Sequence, residues 1–347
     1  MKYHQISSGA YHTCALSNDG SAYCWGAGNN GRLGTGDVHN QSFPVQVKIK
    51  NAKFKQLSAG YPFTCAIEAK GTVWCWGYNK EGQLGNDSDV ESKIPVLVKG
   101  SKPSYKSICT GANHSCALKN DGSVWCWGRN DFMQTGLGSD VPFSKVPQKV
   151  ENLNAEKIAC GANHTCIVNR DGEVKCFGKN DYGQVGVSPS ERPKNITMVQ
   201  GINENVKQVS AGENHTCALT VAGSVFCWGK LGKKGNGSKD VVKILESVEA
   251  ISSGYNHNCA LRKSGKVACW GLNNYGQIGN GTKVYADVPV ELDLDNAVKI
   301  SAGKIHTCAL KKDGSAYCWG HNNDGNLGIG NFDMEVLRPT PIKQPVL

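Results

Sequence analysis

The sequence predicts an all-β protein, a seven-bladed β-propeller of four-stranded antiparallel blades that takes residues 1–347 as one domain. Three observations predict it. A phrase built on Gly-x-x-His-x-Cys, a turn, then Cys-Trp-Gly recurs seven times, with Phe63 for the His in the second copy and Phe177 for the Trp in the fourth. Its first Gly falls at 9, 60, 111, 161, 212, 254 and 303, so the intervals are 51, 51, 50, 51, 42 and 49 residues. A period near 50 with several strands per unit marks a propeller or a solenoid. The 42 glycines follow this period, which excludes a low-complexity chain. No apolar spacing of 3.6 is sustained, so helices are not expected.

In the first unit, Ile6-Ser-Ser-Gly9 reads as strand A and His12-Thr-Cys-Ala-Leu16 as strand B. Strand C is Ser21-Ala-Tyr-Cys-Trp25, and strand D begins near Phe43-Pro-Val-Gln-Val47. The B–C turn ends on Gly in every copy, at 20, 71, 122, 172, 223, 265 and 314, because a three-residue hairpin loop needs a positive φ there. The aromatic before the next Gly (Trp25, Trp76, Trp127, Phe177, Trp228, Trp270, Trp319) is expected to pack between blades. The C–D loop, Gly77-Tyr-Asn-Lys-Glu-Gly-Gln-Leu-Gly85 in the second unit, is Gly-rich. No Gly-Lys-Ser/Thr and no helix follow it, so it reads as a compact turn rather than a phosphate cradle. Seven units of four strands close into a propeller, which leaves only short protected edges.

His-Thr-Cys-Ala-Leu, Asp-Gly-Ser-Val-Trp-Cys-Trp-Gly and Asn-x-x-Gly-Gln-Leu-Gly together resemble the repeat of the regulator of chromosome condensation family, over essentially the whole chain. The resemblance implies the propeller. For function it implies less, because one fold serves many activities. The founding member is a chromatin-bound exchange factor for a small GTPase, and relatives include inhibitors and secreted effectors. The exchange factor carries a protruding wedge, whereas no unit here exceeds 51 residues. The third loop, Arg129 to Gly138, is altered but not lengthened, and the fifth unit shrinks to 42 around Lys230-Leu-Gly-Lys-Lys-Gly-Asn-Gly237. A guanine nucleotide exchange factor or chromatin adaptor is therefore the alternative reading.

Fourteen of the 16 cysteines fall ten apart: Cys14/Cys24, Cys65/Cys75, Cys116/Cys126, Cys166/Cys176, Cys217/Cys227, Cys259/Cys269 and Cys308/Cys318. The midpoint of each pair is the centre of the B–C turn. The two sulfurs therefore face each other on adjacent strands, within disulfide reach. Seven such bridges imply an oxidising compartment, hence an extracytoplasmic or secreted protein. The alternative is reduced pairs in the cytoplasm or delivery to a host cell. Cys109 and Cys160 lie on strands A of consecutive blades, and an inter-blade bridge and two free thiols both stay open. The start, Met1 to Ile6, enters a strand without an apolar leader, which fits a cytosolic protein or a trimmed mature one. No run of 18 apolar residues is present for a membrane span.

The histidines 12, 114, 164, 215, 257 and 306 recur once per blade, with Phe63 in their place in the second. The cysteine pair persists beside Phe63, so the two are independent, and no metal is expected. Each His is expected to bond backbone near it within its own blade. No nucleophile–base–acid arrangement stands out, so neither enzyme activity nor a cofactor is expected.

Strand alternation puts A–B turns and C–D loops on one face. That face carries aromatics the repeat does not demand: Tyr11, Tyr61, Phe63, Tyr78, Phe132, Tyr182, Tyr255 and Tyr275, with Phe143, Tyr285 and Phe332. Loop aromatics are enriched at protein interfaces, so a protein partner is expected there. The opposite face carries Lys70, Lys119, Arg170, Arg262, Lys263, Lys311 and Lys312, with Lys50, Lys53, Lys55, Lys102 and Lys106. With a net charge of +9, that ring is either a solvated rim or a surface for nucleic acid.

Overall fold

A computed structural model describes residues 1–189, 195–233 and 235–345. Seven four-stranded antiparallel sheets follow one another, each with its strands in sequence order from axis to rim. Blade 1 comprises β1 (Tyr3–Ser8), β2 (His12–Ser17), β3 (Ala22–Gly26) and β4 (Gln41–Gln46). Blades 2 to 7 begin at Phe54, Tyr105, Lys157, Val206, Val248 and Ala297. The outer strand of blade 4 is only Thr197–Met198. Apart from one 3₁₀ turn at Asn29–Gly31, no helix occurs among the described residues. The outer strands carry Pro44, Pro95, Pro147, Pro289 and Pro339, which an edge strand tolerates because its free side needs no N–H donor.

The core is divided among the seven blade interfaces. Each ring aromatic packs against the preceding blade: Trp76 lies with Cys14, Leu16, Cys24 and Leu33, and Trp25 lies with Cys308, Leu310, Cys318 and Leu327. Blade 7 thus meets blade 1 as any other pair meets, each blade being built from four consecutive strands. A circuit of backbone bonds runs round the axis. Ala10 N donates to Gly60 O, Tyr61 N to Gly111 O, and so on to Lys304 N donating to Gly9 O.

The repeat glycines of this circuit (Gly9, Gly60 and their equivalents) are needed for close approach. A Cβ on Gly111 would lie 2.2 Å from His114 Cε1 and 2.5 Å from Gly161 O. The histidines differ from expectation. Each does sit in structure, but its Nε2 reaches a side chain of the next blade rather than nearby backbone. The pairs are His12–Thr64, His114–Thr165, His164–Thr216, His257–Thr307 and His306–Thr13 at 2.8–2.9 Å, with His215 on Asn258. Each of these threonine hydroxyls also donates to a C–D loop carbonyl, as Thr165 does to Gln134 O at 2.8 Å. The hydroxyl therefore accepts from Nε2–H, and the imidazole is neutral with its proton on Nε2. Burial holds the pKa of His114, His164, His257 and His306 down to about 3.

All seven ten-residue cysteine pairs are disulfides: Cys14–Cys24, Cys65–Cys75, Cys116–Cys126, Cys166–Cys176, Cys217–Cys227, Cys259–Cys269 and Cys308–Cys318. In each, the two residues are directly opposed in register with Cα–Cα 4.1 Å, as the turn-centred spacing requires. Cys109 and Cys160 form an eighth, between blades 3 and 4.

Candidate functional site

Of the residues that follow the repeat Gly, Ala10, Tyr61, Ala162, Tyr255 and Lys304 line a cavity at the axis. Tyr11 joins them through its contacts with Tyr61 and Lys304. The Lys304 ammonium stands 4.9, 4.8 and 5.4 Å from the ring centroids of Tyr11, Tyr61 and Tyr255. It donates to Tyr11 Oη at 2.9 Å and, at 3.4 Å, to Tyr61 Oη. Tyr61 stacks edge-on with Tyr11 and tilted with Tyr255. A cation over three aromatic faces is attracted by each ring quadrupole. Burial opposes the charge of Lys304, yet the bonds to Tyr11 and Tyr61 outweigh it, and its pKa is raised. Burial, then the nearby Glu213, raises the Tyr255 phenol, so it stays neutral. Glu213 in turn accepts from Asn256 Nδ2 at 2.9 Å. The cavity beneath, about 80 Å³, has room for water but not for an organic cofactor.

Around this centre the C–D loops form a rim, and repeat Asn and Gln side chains hold the backbone that carries their aromatics. Asn130 Oδ1 accepts from Thr135 N at 3.0 Å and its Nδ2 donates to Gly138 O and Val141 O, which closes the loop on itself. Gln134, Gln184 and Gln277 each accept, through Oε1, from the backbone N–H of Phe132, Tyr182 and Tyr275 at 2.9 Å. The rings then meet side chains of the next blade. Phe132 lies 5.3 Å from Lys179 Nζ, Tyr182 lies 5.0 Å from Lys230 Nζ, and Tyr275 meets His321 edge-on at 5.0 Å. Phe132 and Tyr275 are 36% and 38% exposed, and Phe143 and Phe332 more so. The loops are compact turns held by their own Asn and Gln, as the absence of a phosphate motif indicated.

Of the aromatics singled out in the sequence, Tyr11, Tyr61 and Tyr255 come together at the axis. Phe132, Tyr182 and Tyr275 space themselves along the rim, and Tyr78 is half-buried there. Phe63 is a correction. It opens the second strand of blade 2 and is fully buried in the His position, so no partner reaches it. Lys304 was not anticipated, although reading down the column after each Gly would have found it. Lys234 of the shortened fifth loop lies outside the described residues.

The paired cysteines belong to the frame and not to this site. Cys14, Cys65, Cys116, Cys166, Cys217, Cys259 and Cys308 are buried on the second strands of their blades. Their partners Cys24, Cys75, Cys126, Cys176, Cys227, Cys269 and Cys318 are equally buried on the third strands. Each pair packs into the apolar interface between blades, so none of these sulfurs is presented to a partner.

The opposite face is less basic than its sequence. Lys53 pairs with Asp19, Lys106 and Arg170 with Glu156, and Arg262 with Glu291. Lys119 sits 3.6 Å from the Trp125 ring centroid and Lys311 4.7 Å from that of Tyr317. Among the described residues, His114, Cys116 and Cys160 are grouped closely enough for a metal, but both sulfurs are bound in disulfides.

Comparison with known proteins places these features in context. The family model described as RCC1-like domain matches residues 1–242, and models of the regulator of chromosome condensation (RCC1) repeat match 248–277, 297–326, 264–310 and 313–346. The ultraviolet-B receptor UVR8 of Arabidopsis thaliana is 33% identical over 249 residues, covering 68% of this chain and 56% of that protein. Human E3 ubiquitin-protein ligase HERC2 is 30% identical over 244 residues, covering 68% of this chain but 4% of its own length. The chain thus spans about half of the first relative and a small part of the second. Prp20p from Saccharomyces cerevisiae, solved with a study of its binding to Gsp1p and histones, superposes with a TM-score of 0.85. It is 24% identical and the match covers 96% of this chain and 88% of that one, a likeness of fold. No described helix is long and apolar enough to cross a membrane.

Proposed function

The chain belongs to the RCC1-like family, and from that premise we propose that it is a non-enzymatic protein-binding propeller whose A–B and C–D loop face holds a protein partner. One observation carries this reading: aromatics that the repeat does not demand gather on that face, three of them round Lys304 at the axis and three along the rim. Tyr11, Tyr61 and Tyr255 with Lys304 form a rigid centre, and Phe132, Tyr182 and Tyr275 form a rim. Rigid aromatic anchors at the middle of a face are the residues that dominate binding energy. Carriage of eight disulfides supports an extracytoplasmic or secreted place of action. The alternative partners, a small GTPase bound by an exchange factor or a nucleic acid, would use different chemistry.

The test compares two mutant pairs on a partner recovered with the wild-type chain. Tyr61→Ala with Phe132→Ala should cost about 2 kcal/mol or more of binding. Lys263→Glu with Lys312→Glu should change little beyond the association rate. A steep loss of affinity with salt, together with an unaffected aromatic pair, would overturn the reading in favour of nucleic acid on the basic face. Accelerated nucleotide release from a small GTPase would overturn it in favour of exchange.

A further inference from the structure

The blades are joined by a recurring clasp, and at one junction that clasp is replaced by a disulfide. Two residues before the repeat Gly, a serine hydroxyl accepts from a backbone N–H of the next blade. Ser7 takes Ala59 N, Ser58 takes Thr110 N, Ser210 takes Ser253 N, Ser252 takes Ala302 N and Ser301 takes Ser8 N, all at 2.8–3.1 Å. Cys109 occupies the serine position in blade 3 and is bonded to Cys160, which stands where Ala59 and Ala302 stand elsewhere. In blade 4 the same position is Ala159, which has no hydroxyl. A second clasp, the Gln5, Gln56 and Gln208 amides on the backbone of the following blade, has Ser107 and Lys157 in its place at these two junctions.

The seven blade staples are at most 1% exposed. Cys160 is partly exposed and lines the axial cavity. The bridge between blades 3 and 4 is thus set apart in both position and access.

We propose that Cys109–Cys160 is a thiol-exchange site for small thiols, and that its opening loosens blade 4 while the ring stays closed. An incoming thiolate attacks Cys160 Sγ, the S–S bond breaks, and Cys109 leaves as a thiolate that takes a proton from water. A second thiol, attacking through its own thiolate, then resolves the mixed disulfide at the reagent's sulfur. It leaves as the oxidised reagent disulfide and frees Cys160, so two electrons pass to the protein. The reverse sequence restores the bridge. With the bridge open, blade 4 has neither the serine nor the glutamine clasp on either side. It keeps Ala112 N on Ala162 O, His114 on Thr165 and His164 on Thr216, so the ring does not fall apart.

The test is graded reduction of the native protein with dithiothreitol, followed by acid quench, unfolding, maleimide labelling and peptide mapping. Cys109 and Cys160 should label at a reductant concentration at least tenfold below that needed for any staple. Amide exchange in Lys157–Cys160 should rise tenfold or more over the same range, while Phe54–Ala59 is unchanged. The variant Cys109→Ser with Cys160→Ala recreates the Ser7–Ala59 arrangement. It should fold with seven staples and show exchange in this strand that does not respond to reductant. Staples opening together with the bridge would overturn the proposal. So would Cys126 as the first free thiol, since Cys116 Sγ and Cys160 Sγ lie within 4.8 Å and exchange would then run inward. A reductant response that persists in the double variant would also overturn it.

Discussion

Replacing His114 with phenylalanine should weaken the protein at neutral pH and strengthen it in mild acid. Blade 2 already carries the substitution, because Phe63 sits fully buried where the other blades have His. At neutral pH the variant loses the bond from His114 Nε2 to Thr165. The Thr165 hydroxyl keeps its bond to Gln134 O, so it is not left without a partner, and the loss is about 1 kcal/mol. The acid effect has the opposite sign. Burial holds the folded His114 pKa at about 3, while the unfolded side chain titrates near the ordinary 6.5. The folded value is the lower one, so the stability is present above the unfolded pKa and is lost as pH falls from about 6.5 toward 3. At pH 5 the wild type has lost about 2 kcal/mol to this one ring, at about 1.36 kcal/mol per pH unit. Phenylalanine loses nothing, and the other histidines weigh on both proteins alike. The order of stability should therefore invert near pH 6. Denaturant unfolding with disulfides intact, followed by tryptophan fluorescence at pH 7.5 and pH 5, reads both signs. An equal deficit at the two pH values would refute the reasoning, since it would mean that the ring protonates inside the fold as easily as outside it.

Gly111→Ala should cost about 3 kcal/mol or prevent folding, because the new Cβ meets both the His114 ring and a backbone oxygen of blade 4. Gly100→Ala, at φ +68° with open space around it, should cost only about 1 kcal/mol of backbone strain, and thermal melts of the two variants distinguish the cases. Trp127→Phe should cost about 1–3 kcal/mol by chemical denaturation, since Phe177 fills the same place in blade 4 and Gln83 O keeps the Ser115 hydroxyl. Trp127→Ala should cost about 3–5 kcal/mol, and equal losses for the two would mean that the indole N–H, not ring volume, holds this interface.

The propeller was legible because its demands are local and repeated. A positive φ in each B–C turn, a register centred on that turn and an aromatic at the end of strand C are all properties of one unit. The disulfides followed from the same register. What the reading missed lies between units. His12 and Thr13 point to opposite sides of β2 because side chains alternate along a strand. His12 therefore reaches forward to Thr64 while Thr13 takes His306 from behind. That alternation was available in the sequence, but its consequence appears only when one copy of the motif is set beside the next. Phe63 was misread for the same reason. It is not a loop aromatic but stands in the histidine column, which the fold buries in every blade.

The axial site was harder to see because no unit contains it. Tyr11 and Tyr61 come from blades 1 and 2, Tyr255 and Lys304 from blades 6 and 7, and only ring closure brings the ammonium within 5.4 Å of all three rings. The same closure supports the proposal that a partner binds there. Positions that hold the ring are spent on it: the glycines on close approach, the His and Thr on each other, the Cys on staples, the Trp on the preceding blade. The residues left free to differ are those after each Gly and those at the loop tips. On one face these are Tyr, Phe, Lys and Glu, and on the other they are lysines and arginines, of which Lys53, Lys106, Lys119, Arg170, Arg262 and Lys311 are already paired with acids or rings. Residues that the repeat does not use are the ones through which it would read a partner, and their gathering as aromatics on one face is what favours that face in the proposal.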